Sequence, residues 1–274
     1  MNVLEALCLG ALQGVTEFLP ISSSGHLVLA QHLLGFQESQ LFFDIAVHVG
    51  TLMAVFLVFW RDLALMVRGS FRAIGQAISS QTAFNSTGLD SSVKMALMIL
   101  VGSIPTALIG LFLKDVFEQF FTSAKIVALG LWVTGSFLIW SRWAKPRRTL
   151  LENPGVFDAL FIGLVQGMAI TPGLSRSGVT ITTGMLLGLG PDLAFRFSFL
   201  LSIPAILGAL VLEAFHKGGN HPEWHVVAVG FFSAFFVGWA ALRLLRSLVD
   251  KGKLFYFAPY CFVLGVLALA IALF

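Results

Sequence analysis

A glutamate, a histidine, an arginine and a set of serines cluster at two interruptions in sequence that is otherwise almost continuously apolar. The first interruption reads Leu19-Pro20-Ile21-Ser22-Ser23-Ser24-Gly25 and the second Thr171-Pro172-Gly173-Leu174-Ser175-Arg176-Ser177-Gly178. Each runs into an apolar stretch predicted to be helical, over 24–34 and 177–189. A helix N-terminus presents free N–H groups and the positive end of the dipole, which makes it an anion site. Arg176 adds a fixed charge and a planar fork matched to phosphate. Ser22, Ser23, Ser24, Ser175 and Ser177 add hydroxyls, and with Gly178 they form the candidate substrate-binding set. Each serine taken singly reads equally well as a helix N-cap. An arginine within an apolar region has no such bland reading, because its burial is costly and by default marks function.

Ahead of the first interruption, Gln13 and Glu17 are four apart and share one helix face. His26 follows Ser23 by three residues. An anion-holding arginine, a carboxylate, an imidazole and a hydroxyl make up the parts of a phosphoryl-transfer site. Glu17 with Gln13 offers oxygen ligands to a divalent cation, or Glu17 acts as a base. His26 suits general acid/base work on a serine hydroxyl or a water. Taken alone, His26 also reads as a satisfied core histidine and Glu17 as a partner for Arg176. Asp44 and His48 form a further i,i+4 pair, which either lines a cavity entrance or hydrogen-bonds internally. Arg196 reads as a snorkelling anchor at the start of a span.

The surrounding elements are membrane-spanning. Of 274 residues, 57% are hydrophobic and 11% charged, against about 25% charged in soluble domains. Crossing a bilayer takes about 20 apolar residues, and six stretches qualify: 42–60, 93–113, 124–141, 194–213, 225–242 and 255–274. Regions 3–34 and 156–190 are apolar but broken by Pro and Gly. Non-helical backbone at membrane depth is tolerated only inside protein or against a watery cavity. Each broken region is therefore expected to be a re-entrant helix pair, with two tilted full spans as the alternative. The N-terminus has no basic leader and does not read as a cleaved signal.

Basic residues follow alternate spans: Arg61, Arg68 and Arg72, then Arg142, Lys145, Arg147 and Arg148, then Arg243, Arg246, Lys251 and Lys253. This places all three basic loops on the cytoplasmic face. Loop 73–92 is expected to be a polar cytoplasmic excursion, and 216–225 an outside loop whose three histidines read as solvated rather than metal-binding. The basic residues lie in short loops, which argues against nucleic acid as a partner. Cys8 and Cys261 have neither metal nor disulfide spacing and are expected to be small core residues.

A shift of 153 residues superposes Gly10-Ala11-Leu12-Gln13-Gly14 on Gly163-Leu164-Val165-Gln166-Gly167, and Ser22-Ser23-Ser24-Gly25 on Ser175-Arg176-Ser177-Gly178. The expected fold is an all-α polytopic membrane protein forming a single integral membrane domain over 1–274. Repeat 1 covers about 1–150 and repeat 2 about 151–274, each a re-entrant pair plus three transmembrane helices. An odd number of crossings inverts the second repeat and brings the two tips together, an architecture known from transporters. A carrier or flippase for a phosphate-bearing lipid is accordingly the alternative to an enzyme. A pure carrier needs Arg176 but neither a nucleophile nor a proton shuttle.

These residues resemble the undecaprenyl-pyrophosphate phosphatases associated with bacitracin resistance. The stretch Gln13 to His26 is similar to that family's first signature, [E/Q]xxxE running into a Ser-rich loop and a His. Pro172 to Gly178 is similar to its second, PGxSRSG. The resemblance spans essentially the whole chain. It implies hydrolysis of the C55 polyprenyl pyrophosphate to the monophosphate, recycling the carrier lipid for peptidoglycan synthesis. It implies Gln13 and Glu17 as metal-supporting and catalytic acidic positions, and Ser23, His26 and Arg176 as essential. It further implies a divalent cation, Mg²⁺ or Ca²⁺, the bacterial inner membrane, and a site opening toward the periplasm. Gln at the first acidic position carries no charge, so Glu17 would be the dominant metal contact. The partners expected are the lipid substrate and the membrane, with a homodimer left open.

Overall fold

The computed structural model describes residues 1–34, 41–79, 90–121, 123–147, 152–214 and 223–273. Every regular element among them is helical. The first broken region forms α1 (Val3–Phe18) and α2 (Ser23–Leu33), and the second forms α8 (Val156–Met168) and α9 (Arg176–Leu186). At 1.5 Å per residue, the 16 residues of α1 and the 13 of α8 reach about 24 Å and about 20 Å, short of a hydrocarbon core of about 30 Å. Within each region the two helices pack on one another, α1 on α2 and α8 on α9. These are helix–break–helix hairpins rather than tilted spans.

Among the described residues four helices are long and apolar enough to cross a membrane, or five if one bent pair is counted as a span: α5 (Ser91–Phe112), α7 (Ala124–Trp140, extended by a 3-10 turn to Trp143), α10 (Pro191–Ala214) and α11 (Trp224–Asp250). The other two expected spans differ from the prediction. The stretch from residue 42 is one arm of a bent pair, α3 (Leu41–Val58) and α4 (Trp60–Ser79), turned by 74°. Neither Pro nor Gly stands at the bend. Phe59, 1% exposed, fills it and packs on Phe195 and Phe199 with ring centroids 5.8 and 6.2 Å away. The polar excursion expected from residue 73 is helical as far as Ser79, and residues 80–89 lie outside the described set. The last span begins as a 3-10 turn at Leu254–Phe257 and continues as the shorter α12 (Ala258–Ile271). The short α6 (Lys114–Phe121) connects α5 to α7.

Small residues let the hairpins seat deeply. α1 packs along α11, where a Cβ at Gly10 would collide with the Gly230 carbonyl and one at Gly14 would come within 2.8 Å of the Ala234 carbonyl. α8 packs along α5 in the same manner, with Gly163 on Gly102 and Gly167 on Thr106 and Ile109. Close approach of this kind supplies dispersion contact where lipid leaves no hydrophobic drive between helices. Each first arm thus lies on a helix of the opposite half. Thr106 Oγ1 donates to the Gly163 carbonyl at 2.8 Å, and Ser233 Oγ to the Leu7 carbonyl at 2.8 Å. Gly163→Ala is expected to force α8 off α5 and cost about 1–3 kcal/mol, seen as a lower thermal midpoint in detergent. Gly208→Ala, where an added Cβ meets nothing within 4 Å, serves as the matched control.

One end of the bundle gathers charge. Arg196 is not a free anchor, as the sequence suggested: it pairs with Asp62 of α4 and lies 3.9 Å from Asp192, which Arg246 of α11 also bonds at 2.8 Å. The Arg147 N–H reaches the Gly188 carbonyl at 3.1 Å. The starts of α4 and α10 and the end of α11 therefore share the basic end, and Arg148 lies outside the described residues. Cys261 is buried as expected, whereas Cys8 is exposed on α1. In the predicted outside loop, residues 216–222 are likewise outside the described set, while His225 sits 3.3 Å from Glu223.

Candidate active site

The first break is set by its backbone. Leu19 ends α1 in an extended conformation, Pro20 follows, and Ser22 adopts φ 70°, the one described non-glycine residue with positive φ. That conformation is disfavoured for a residue bearing Cβ, and such strain gathers at functional sites. It leaves the Ser22 carbonyl to accept from His26 Nδ1 at 2.7 Å. The second break turns on Gly173 at φ 87°, and α9 is capped by Ser175 Oγ, which accepts from the Gly178 N–H at 3.2 Å.

The two breaks meet tip to tip. Arg176 Nη2 donates to Glu17 Oε1 at 2.6 Å, a contact across 159 positions. Ser177 Oγ donates to the Phe18 carbonyl at 2.9 Å, and a Cβ at Gly178 would come within 3.0 Å of the Pro20 Cβ. α7 backs the second break: Thr134 Oγ1 accepts from the Ser175 N–H at 2.9 Å and donates to the Gly173 carbonyl at 3.1 Å. Below the site, the Arg176 guanidinium stands 5.6 Å over the Phe199 ring, which makes an edge contact with Phe18 at 5.7 Å.

Glu17 is the hub. Its Oε1 takes Arg176, while Oε2 accepts from Ser23 Oγ at 2.7 Å and from Gln13 Nε2 at 3.2 Å. Both partners of the ion pair are well shielded, with side-chain exposures of 9% for Glu17 and 15% for Arg176. Two polar atoms of the cluster are buried without a hydrogen-bond partner among the described residues, Gln13 Oε1 and Arg176 Nη1. Buried orphans of this sort cost free energy unless something else satisfies them. An acceptor oxygen beside a carboxylate, and a guanidinium N–H beside it, are what a cation and an anionic phosphate would use.

His26 does not bond Ser23 here. Its Nε2 meets the Tyr260 hydroxyl at 2.6 Å, with the two rings 9° from parallel. The Ser22 and Ser24 hydroxyls lie 3.4 Å apart, Ser22 buried and Ser24 partly exposed. Ser175 and Ser177, predicted as substrate-binding, are buried and spent on the cap and on the Phe18 carbonyl. Asp44 and His48 do not pair through their side chains: His48 Nδ1 donates to the Asp44 carbonyl at 2.7 Å, and the Asp44 carboxylate takes Gln31 at 2.6 Å.

The family model described as bacitracin resistance protein BacA matches residues 6–267. The chain belongs to this family. Its relatives include an undecaprenyl-diphosphatase of Desulforapulum autotrophicum, 45% identical over 272 residues and 98% of each chain. Another, from Desulfosudis oleivorans, is 45% identical over the full length of both chains. A third, from Methanosphaera stadtmanae, is 37% identical over 99% of each. Both breaks fall inside the stretch matched to BacA. Three site neighbours went unread in the sequence: Tyr260, Phe199 and Thr134. Tyr260 carried a usable signal, since it is one of only 2 tyrosines in the chain and puts a polar tip into an apolar segment.

Proposed function

We propose that this BacA-family chain is a membrane phosphatase that hydrolyses undecaprenyl pyrophosphate to undecaprenyl phosphate and phosphate, which returns the carrier lipid to cell-wall synthesis. One observation carries the reading: a serine hydroxyl and an arginine converge on a single shielded carboxylate, Glu17, at 2.7 and 2.6 Å. The relatives named undecaprenyl-diphosphatase supply the substrate.

In this reading Arg176 and the N-termini of α2 and α9 grip the pyrophosphate oxygens. Positioning and charge stabilisation are most of what phosphoryl transfer asks of a protein. Ser23 Oγ attacks the terminal phosphorus, its proton passes to Glu17 Oε2, and the bridging P–O bond breaks with undecaprenyl phosphate leaving on the electron pair. Water then attacks the phosphoserine, phosphate departs, and the serine recovers its proton. Attack by water in place of Ser23 would use the same carboxylate. Because Glu17 already holds the Ser23 hydroxyl, it is the nearer proton acceptor, and His26 acts at the mouth.

Among the described residues no three His, Cys, Asp or Glu side chains converge to form a metal cage. Mg²⁺ ordinarily needs only one or two protein oxygens, the rest being water and substrate phosphate, and the orphaned Gln13 Oε1 beside Glu17 fits that demand. Glu17 and Gln13 would hold the Mg²⁺ or Ca²⁺ ion, which when bound supplies neutralisation of the charge that builds on the phosphate. A homodimer would carry one such cluster of Glu17, Ser23, His26 and Arg176 in each half.

The basic ends of α4 and α11 are taken as the cytoplasmic face. The two halves are inserted with opposite topology, a reading supported by each first arm packing on the other half. The family resemblance supports a mouth toward the periplasm. The test is phosphate release from polyprenyl pyrophosphate by detergent-purified protein, with and without EDTA. Release that EDTA abolishes is expected, and Ser23→Ala is expected to lower kcat by about 10²-fold or more. Full activity in Ser23→Ala would move the attack to water. Lipid binding without release in the parent protein would point to a carrier.

A further inference from the structure

His26 is held at both ring nitrogens by groups the reaction described above does not use. A carbonyl oxygen only accepts, so the 2.7 Å contact to the Ser22 carbonyl requires a proton on Nδ1. A neutral imidazole then has a bare Nε2, and the Tyr260 hydroxyl donates to it at 2.6 Å. This partner lies 234 positions away in sequence, on the first turn of α12 (Ala258–Ile271).

The placement of that tyrosine is not loose. Its neighbour Cys261 is fully buried and meets the Pro20 carbonyl with Sγ at 3.5 Å, so two consecutive residues of α12 bind the first break. Farther along, Trp132 of α7 donates to the Phe262 carbonyl at 3.3 Å and blocks any side chain at Gly265. α12 is therefore pinned against α7, and α7 in turn backs the second break through Thr134. Tyr260 itself is 46% exposed, which means it contributes little to the core for its size. A phenol pre-set on the acceptor nitrogen of a candidate acid/base, but marginal to packing, is better explained by orientation than by stability.

We propose that Tyr260 is a positioning residue for the phosphatase reaction. Its hydroxyl and the Ser22 carbonyl clamp His26 between them, fixing one tautomer and one ring plane at the mouth of the site. The proposal rests on the reading of His26 as part of the active site. A backbone carbonyl that fixes a functional imidazole through Nδ1 is a general pattern, and Tyr260 adds the second point of the clamp at Nε2.

The test is a double-mutant cycle between Tyr260→Phe and His26→Gln, read as kcat and KM for phosphate release, with thermal midpoints alongside. The Phe variant keeps the ring and removes one hydrogen bond, so kcat is expected to fall about five- to tenfold with KM and midpoint nearly unchanged. In the His26→Gln background the same substitution is expected to cost nothing, because neighbours that act as a unit are non-additive. In ¹⁵N-histidine spectra, the resonance removed by His26→Gln is expected to report an Nδ1–H tautomer in the parent protein and to shift in Tyr260→Phe. Unchanged kcat in Tyr260→Phe alongside a strongly impaired His26→Gln overturns the proposal alone. Unchanged kcat in both overturns the reading of His26 with it. Equal losses in both backgrounds would show that the tyrosine acts through packing, which also overturns it.

Discussion

Arg176→Ala is expected to lower kcat/KM for phosphate release by at least about 10³-fold. The guanidinium is the fixed positive charge of the site, anchored to Glu17 Oε1 by Nη2 at 2.6 Å while Nη1 is buried with no partner. Its position over the Phe199 ring leaves the fork in a poorly solvated setting, where a charge–phosphate contact is worth far more than in water. The substitution has a second effect, which must be kept apart from the first. With Arg176 gone, the Glu17 carboxylate at 9% exposure has lost its countercharge, and breaking such a pair typically costs about 3–5 kcal/mol of stability. Arg176→Ala combined with Glu17→Gln removes both charges, so the thermal midpoint should recover while activity does not. Kinetics at matched folded fractions, with midpoints for the single and double variants, make the distinction. Activity above a tenth of the parent value in Arg176→Ala would remove this residue from the chemistry.

Glu17→Gln should be nearly as severe in kcat, falling about 10²- to 10⁴-fold, with a different signature. The amide is isosteric and still accepts a hydrogen bond, so Ser23 stays in place, but it is no longer a base for the serine proton. It is also a weaker cation ligand, and with Gln13 already an amide the pair would then hold no carboxylate. Half-activation should therefore move to higher Mg²⁺ concentration, measured by titrating the cation back into chelator-treated protein. Were Glu17 there only to neutralise Arg176, the variant would lose stability and keep its kcat. The paired readout of kcat against cation concentration separates these cases.

Much of the site was legible because its signals are local. Pro20, Pro172 and Gly173 stand beside serines and mark helix stops, and Gln13 with Glu17 share a face by helical spacing alone. Serines next to those stops announce both breaks, and Arg176 stands out because an unpaired charge in an apolar region is costly. The pairing of Arg176 with Glu17 could be named as one option, but the choice among partners 159 positions apart depends on how closely α9 approaches α1. That approach is set by Gly178 against Pro20 and by Ser177 on the Phe18 carbonyl.

Other features had no local signature. The 74° turn between α3 and α4 occurs at Val58-Phe59-Trp60, residues that would continue a helix, because burying Phe59 against Phe195 and Phe199 outweighs local propensity. Ser175 and Ser177 read as ligand hydroxyls until packing spent them on a cap and a carbonyl. The attachment of His26 to Tyr260 crosses nearly the whole chain, and hydrophobic pattern is blind to it because a tyrosine at a span end looks like an interfacial anchor. Apolar content and breaks decided that this chain is a membrane protein with two polar tips, since both follow from the solvation of single residues and short segments. Which atoms meet at those tips was decided by the folded helices alone, since hydrogen bonds a few ångströms long between distant segments exist only once packing has set the separation of their backbones.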